Sequence, residues 1–256
     1  MNLNVEKILI IGLGMIGSSI ALASKSKGIK VYGFDKSNNY IKEALEKNII
    51  DSKVESIEDI NSKNFEKKID LIIVAVPPKQ TLEVLNNLKD IWNTDVTITD
   101  TSSVKNHLKL NDASNIVLSH PIAGSDQSGI SAADGDLFKN KKNVLCDPFN
   151  SKKGHFQKVD NFWKNALQMR TSTMSVSEHD LIFAMTSHLP HLVSYALIDS
   201  IRLSNHDVDD NAGGGLKEFL RLTKSHGDRL YNLINGRLNK HQGVILLLIL
   251  LVLILG

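Results

Sequence analysis

The feature that most constrains the fold is a glycine loop close to the N-terminus. The segment Gly12-Leu13-Gly14-Met15-Ile16-Gly17 follows directly on Lys7–Ile11, a short β-rich run, and opens the helix-forming stretch Ser18–Ser26. In such a strand–loop–helix unit, the first glycine permits a tight turn and the second lets the backbone approach a pyrophosphate. The third glycine lets helix and strand pack closely. The helix N–H groups would then face the phosphates. The loop therefore predicts a dinucleotide site that includes Gly12, Gly14, Ile16 and Gly17.

An acidic residue completes this pattern. Asp35 ends a second predicted strand, Lys30–Phe34, and lies 18 residues after Gly17. A carboxylate at this place accepts hydrogen bonds from ribose hydroxyls and would repel a 2′-phosphate, so NAD is favoured. The neighbouring Lys36 keeps NADP open. The alternative is a glycine turn in an α/β fold that binds no nucleotide, but a turn alone requires neither three glycines at this spacing nor the acid.

Strands and helices alternate through the first 150 residues, which is typical of a doubly wound parallel sheet. Asp70–Val76 is apolar on both faces and therefore indicates a buried parallel strand. Val76 and Pro77 end that strand and are candidates to line the adenine or ribose, or they are simply the end of a strand. Further predicted strands and helices are Ile41–Lys47 (helix), Thr81–Ile91 (helix), Val96–Thr99 (strand), Ile116–Ser119 (strand) and Asn143–Cys146 (strand).

After residue 150 the pattern changes. Val159–Leu167 suits one more helix, and apolar residues recur at helical spacing from Ser177 to about Leu203. We therefore expect a Rossmann-type α/β domain over residues 1–150, an all-helical domain over 151–242, and an anomalous apolar tail over 243–256.

Composition excludes several classes of protein. The formal net charge is +2 and the charges are interleaved, so nothing favours nucleic acid as a partner. The single cysteine, Cys146, allows neither an internal disulfide nor a cysteine-based zinc site, and it fits a reducing cytoplasm. We interpret it as a small apolar strand residue and expect no metal site. The N-terminus does not resemble a signal peptide. Val244–Leu255 is too short to span a membrane.

Four polar segments exceed what a scaffold needs: Asp100–Lys105, Ser119–Asp126, Ser187–His191, and Ala212–Gly215 leading to Arg221. They contain SSVK, SHPIAGSD, SHLPH and AGGG, and EHD stands at residues 178–180. In this order, with the glycine loop, the chain resembles the prephenate/arogenate dehydrogenase family of tyrosine biosynthesis from about residue 7 to about residue 225. That family joins a Rossmann domain to a helical dimerisation domain, so the resemblance implies a homodimer formed through the helical domain.

The resemblance also implies a reaction. It is the NAD-dependent oxidative decarboxylation of prephenate to 4-hydroxyphenylpyruvate, or of arogenate to tyrosine. His120 is the implied base on the ring hydroxyl, since a neutral histidine can accept a proton near pH 7. Ser103 is implied to hydrogen-bond near that hydroxyl and the nicotinamide, with Ser102 at the cofactor. Without the motif, His120 would be a histidine packed before Pro121, and Ser103 would cap a helix starting at Val104.

The implied substrate residues are His191, His188, Arg221, Gly214 and Asp126. An arginine offers a carboxylate a planar bidentate fork, and a solvent-facing helix arginine is the alternative. His188 and His191 share a helix face, although His188 could be structural beside a kink at Pro190. Asp126 either gates the site or is a solvated loop acid, and the glycines around Gly214 allow close backbone approach. We interpret His179-Asp180 as mainly structural.

The match has gaps. Leu220 stands where relatives have Thr, and Leu230 where they often have Trp. For the tail we favour a frameshifted or truncated reading over burial in a dimer or a short membrane-surface anchor. Two other functions remain open: a dehydrogenase of the β-hydroxyacid type, and a nucleotide-binding relative with impaired catalysis.

Overall fold

The structure is a computed structural model that describes residues 5–60, 69–110, 113–124, 127–203, 213–216 and 219. Two of the predicted site residues, Asp126 and Arg221, lie outside the described residues, as does the apolar tail. The chain divides into two compact units, Met1–Asp180 and Leu181–Gly256.

The first unit is built on one eight-stranded sheet. Its strands are β1 (Lys7–Ile11), β2 (Lys30–Phe34), β3 (Ser52–Lys53), β4 (Leu71–Val74), β5 (Thr97–Asp100), β6 (Ile116–Ile122), β7 (Lys142–Cys146) and β8 (Arg170–Thr173). They lie in the order β3-β2-β1-β4-β5-β6-β7-β8. The first six in this order are parallel, β7 runs antiparallel to β6, and β8 is parallel to β7. The predicted doubly wound sheet is thereby confirmed.

Helices accompany these strands. The described α-helices of the first unit are α1 (Met15–Lys25), α2 (Asn38–Glu46), α3 (Ile57–Ile60), α4 (Pro78–Asn87), α5 (Lys153–Asn161) and the first part of α6 (Val176–Phe183). Short 3₁₀ turns occur at Lys89–Ile91 and Ile130–Ala132, and a π-helical turn at Phe162–Ala166. The glycine loop, α1, α4 and the turns after β5 all follow strand carboxyl ends, which places them at one edge of the sheet.

The core explains why the central strands form. Residues Leu71–Val74 of β4 are fully buried, as expected for a strand covered on both faces. Trp163 is also fully buried and packs edge to face against Phe138 and Phe162. Cys146 is buried as predicted, and burial raises the pKa of its thiol to about 11, which keeps it protonated.

The sheet continues past the predicted domain boundary at residue 150. Helix α5 and strand β8 both follow that residue and belong to the first unit, so the stretch after 150 is not all-helical. β8 reads Arg-Thr-Ser-Thr and lacks apolar alternation, so only its pairing with β7 defines it. The helix predicted over Val159–Leu167 is confirmed as helical through Ala166, but it begins earlier, at Lys153, and changes at Phe162 from α-helical to π-helical.

The described part of the second unit is helical. It contains the end of α6, a π-helical turn at Ala184–His188, and α7 (Leu189–Leu203). Pro190 has no N–H to offer to the preceding turn, which is where the regular α-helical pattern is interrupted. Val176–Ile198 has the length and mean hydropathy, 1.4, to cross a membrane. The core helix of a soluble protein passes the same test, so this is weak evidence for a span.

Candidate active site

The glycine loop has the shape of a phosphate cradle. Gly12 has φ +99°, and a Cβ there would lie 2.6 Å from the carbonyl oxygen of Ala75. A Cβ at Gly17 would collide with the carbonyl oxygen of Gly12, so helix and loop touch there. Gly14 is different, because nothing lies within 4 Å of the position its Cβ would take. Two glycines are therefore required by packing, and the third leaves open space beside the loop.

The start of helix α1 faces that space. Gly14 is its N-cap residue and gives no side-chain hydrogen bond to the first turn, which includes the half-buried Ile16. The first-turn N–H groups are orphan donors that a phosphate can satisfy. The cradle therefore fits the pyrophosphate of a dinucleotide.

Asp35 joins the second strand to the glycine loop. Its Oδ2 accepts a hydrogen bond from the Leu13 amide at 2.7 Å, and its Oδ1 accepts one from the Ser37 amide at 2.8 Å. Each carboxylate oxygen has a further lone pair for a ribose hydroxyl. Asp35 is half-buried, whereas Lys36 is exposed. The carboxylate thus both shapes the loop and keeps capacity for a ligand.

A buried ion pair underlies the turn after β5. The Lys105 ammonium and the Asp100 carboxylate are both fully buried, and Nζ lies 2.6 Å from Oδ2. Lys105 also donates to the carbonyl of Ser119 at 2.6 Å, while Asp100 Oδ1 accepts from the Ser119 amide at 3.0 Å. Burial lowers the pKa of Lys105, and Asp100 opposes that shift. The pair ties this turn to β6 at the residue before His120.

The serines of this turn have different surroundings. Ser102 is buried; its amide donates to Asp100 at 2.9 Å and its hydroxyl to the carbonyl of Val104 at 3.0 Å. Ser103 is half-buried. Residues 101–110 form turns and irregular backbone, so the alternative that Ser103 caps a helix starting at Val104 is wrong. The Lys105 amide donates to the side chain of Asp180, 75 residues further along the chain, and this is not a helical hydrogen bond.

His120 lies past the parallel part of β6. The register of β6 with β5 ends at Val117, whereas its register with β7 continues through His120 to Ile122. His120 is therefore placed beyond the carboxyl edge of the parallel strands, where α/β sheets bind ligands. It is half-buried, and Pro121 behind it is buried.

A second histidine and an aspartate extend from His120. His120 Nδ1 lies 2.9 Å from His179 Nε2, and His179 Nδ1 lies 2.7 Å from Asp180 Oδ1. Asp180 also accepts from the amides of Lys105 at 2.9 Å and Asn106 at 2.8 Å. The EHD segment thus contacts both His120 and the turn after β5, which the sequence reasoning missed. The EHD motif marked His179 in the sequence. The contact with His120 could not be predicted, because 59 residues separate the two histidines along the chain.

Burial and hydrogen bonding set the ionisation of this pair. Burial lowers the pKa of His179 below its ordinary value, and the bond to Asp180 only partly offsets this. Burial alone would raise the pKa of Asp180. The hydrogen bonds from Asn106, His179 and Lys105 outweigh it, so this pKa is lowered. Near neutral pH the pair is an uncharged imidazole beside a carboxylate.

The remaining predicted residues lie elsewhere. Val76 is half-buried and Pro77 exposed, directly after β4 on the edge that holds the glycine loop. In the second unit, His191 is half-buried, and its Nδ1 is 2.7 Å from the carbonyl of Ser187 one turn earlier. His188 belongs to the π-helical turn, and Gly214 is exposed. Among the described residues, no cluster of histidine, cysteine and acidic side chains could hold a metal ion.

Comparison with known proteins places both units. Residues 20–168 match the family model "Prephenate dehydrogenase, nucleotide-binding domain", and residues 175–241 match "Prephenate dehydrogenase, dimerization domain". A prephenate dehydrogenase of Lactococcus lactis is 33% identical over 86% of this chain and 62% of its own length. A cyclohexadienyl dehydrogenase of Zymomonas mobilis is 32% identical over 86% of this chain and 77% of its own.

A solved structure agrees with these sequence matches. The prephenate dehydrogenase of Aquifex aeolicus in complex with hydroxyphenyl propionate and NAD+ has a TM-score of 0.81 and 29% identity. The alignment covers 97% of this chain and 87% of that one. Both family models match in the expected order, and the parallel sheet and the glycine loop lie where the sequence predicts. The strand predicted over Ile116–Ser119 continues to Ile122, so His120 lies within it. The chain therefore belongs to the prephenate dehydrogenase family.

Proposed function

We propose that this chain catalyses the NAD-dependent oxidative decarboxylation of prephenate or of arogenate. The observation that carries the proposal is the position of His120, beyond the carboxyl edge of the parallel strands and on the same edge as the glycine loop. The chain spans about 62% of the length of the Lactococcus lactis relative.

His120 is the base in this proposal. Its imidazole accepts the proton of the ring hydroxyl, which requires it to be neutral before the step. NAD, when bound, supplies the acceptor for the hydride that leaves the hydroxyl-bearing ring carbon, and loss of the ring carboxylate as CO2 makes the ring aromatic. Ser103 hydrogen-bonds the same hydroxyl, and Ser102 lies beside the cofactor.

Cofactor binding is assigned to the loop and the strand ends. The first-turn N–H groups of α1, at Met15–Gly17, bind the pyrophosphate and Asp35 binds the ribose. Val76 and Pro77 line the adenine or ribose side. The proposal favours NAD because the Asp35 carboxylate would repel a 2′-phosphate.

The remaining assignments concern the substrate. We assign His191 and Arg221 to the carboxylates, with His188 and Gly214 beside them. Asp126 is assigned to the substrate side chain. A guanidinium suits a carboxylate because it donates two parallel hydrogen bonds.

The enzyme is proposed to be a cytoplasmic homodimer formed through its helical unit. Helix α6 and the following turn expose large apolar side chains: Leu181 is 63% exposed, Met185 53% and Ile182 37%. A second copy that covers them would remove this apolar surface from water.

The test is formation of NADH by the purified chain with prephenate and then with arogenate, alongside measurement of released CO2. We expect NADH and CO2 in equal amounts with at least one substrate, and a loss of about 10²–10⁴-fold in rate for His120→Asn. His107→Asn is the matched control, because His107 contacts the carbonyl of Pro78 and has no role in the proposed chemistry. Well-folded protein that reduces NAD with neither substrate would contradict the proposal.

A further inference from the structure

We propose that His179, held by Asp180, is a positioning residue that sets the proton of His120 on Nδ1, so that Nε2 is the atom that accepts the substrate proton. The catalytic consequence rests on the proposed function above, whereas the placement of the proton does not. The inference replaces the expectation that the His179-Asp180 pair is mainly structural.

Asp180 accepts three hydrogen bonds. Oδ1 accepts from His179 and from the Lys105 amide, and Oδ2 accepts from the Asn106 amide. Backbone amides can only donate, so both oxygens of Asp180 act as acceptors. His179 Nδ1 must therefore carry the proton of its contact with Asp180.

The other nitrogen of His179 acts as an acceptor. The ring is fully buried and burial disfavours its charged form, so with Nδ1 protonated its Nε2 carries a lone pair. His120 Nδ1 lies 2.9 Å from His179 Nε2, so in this contact Nδ1 must donate. The two rings meet edge to face, with centroids 5.0 Å apart and planes at 62°. His120 Nδ1 therefore donates to His179 Nε2, and His179 Nδ1 donates to Asp180 Oδ1.

The placement of the proton on Nδ1 of His120 determines which nitrogen can act as the base. A neutral imidazole protonated at Nδ1 has its lone pair on Nε2. When the substrate O–H bond breaks, its proton forms the Nε2–H bond and His120 becomes a cation. His179 Nε2 still accepts from Nδ1, and the Asp180 carboxylate lies one ring further, so the positive charge is stabilised. An orienting partner behind a functional histidine commonly acts in this way.

Two substitutions separate this role from a structural one. In His179→Asn the side-chain amide can occupy the place of Nδ1 and keep the bond to Asp180, but it is too short to reach His120. In His179→Gln the amide extends to the place of Nε2, where its oxygen can accept from His120. If an acceptor opposite His120 Nδ1 is what matters, His179→Gln should keep the proton placement and activity that His179→Asn loses.

The first readout is the ¹⁵N and ¹H NMR spectrum of the His120 ring in the ligand-free chain of 256 residues, with His120→Asn used for assignment. We expect a proton on Nδ1 in wild type and in His179→Gln, and a shift of the proton toward Nε2 in His179→Asn. A wild-type proton on Nε2 overturns the proposal even if a variant fails to fold. So does an unchanged proton in folded His179→Asn.

The second readout is steady-state kinetics. We expect kcat to fall about 10- to 100-fold in His179→Asn with little change in KM, and to recover most of that loss in His179→Gln. Equal losses in the two variants, or an effect on KM alone, would refute the positioning role. If the wild type is inactive but its NMR spectrum shows the proton on Nδ1, the result contradicts the proposed function and still supports the proton placement.

Discussion

Replacement of Lys105 by methionine tests the buried ion pair that anchors the site. The ammonium is fully buried and lies 2.6 Å from Asp100 and 2.6 Å from the carbonyl of Ser119. Methionine fills a similar volume but leaves a buried carboxylate without its counter-charge. Breaking a buried pair in this way costs about 3–5 kcal/mol. For a unit of this size that is a decrease in Tm of about 6–20 °C.

The assay is urea unfolding followed by circular dichroism, with Lys164→Met as the control. Lys164 lies 2.7 Å from Asp160 in a surface i,i+4 pair, which contributes about 0.5 kcal/mol or less. The double variant Asp100→Asn/Lys105→Met should lose less free energy of unfolding than the sum of the single variants, because the two groups are in contact. If Lys105→Met loses no more stability than Lys164→Met, the reasoning about the buried pair is refuted.

Three further outcomes are expected. Asp35→Asn removes a carboxylate from the proposed ribose site, so the preference for NAD over NADP should fall about 10-fold or more. Steady-state kinetics with each cofactor measures this preference, and an unchanged value would contradict the assignment of Asp35 to the ribose. Burial lowers the pKa of His179 in the folded chain below the ordinary histidine value of 6.5. As the pH drops below 6.5, the unfolded chain therefore binds a proton before the folded chain does, and the free energy of unfolding decreases. The decrease ends once the folded chain also binds the proton. Urea titrations at several pH values should show a smaller decrease in His179→Gln, and an identical decrease would contradict the assignment. Met185→Glu places a charge on the exposed apolar face and should weaken the dimer in sedimentation at low concentration, whereas Leu45→Glu, at a position 39% exposed, should not.

Much of the first unit could be predicted from the sequence because strands such as β1 and β4 are nearly continuous apolar runs. β1 and β2 lie where they were predicted, since each run ends at a glycine or an acid that also stops the strand. β8 could not be predicted. Its Arg-Thr-Ser-Thr sequence carries no apolar alternation, and its conformation depends on pairing with β7.

The site was predicted unevenly for a similar reason. The glycines and Asp35 form a local pattern whose chemistry follows from spacing alone. The contact of His120 with His179 depends on how β6 and α6 pack, and no local pattern encodes that. Asp180 was visible as part of a motif, yet its three hydrogen-bond donors appear only once the chain is folded.

The central claim is that His120 accepts the substrate proton, and the most direct measurement is the pH dependence of kcat/KM for wild type and His120→Asn. A base must be neutral to act, so wild type should lose activity as pH falls, with a limb of unit slope. In His120→Asn that limb should be absent and the plateau about 10²–10⁴-fold lower. The same limb in both proteins would show that another group is the base and would contradict the account.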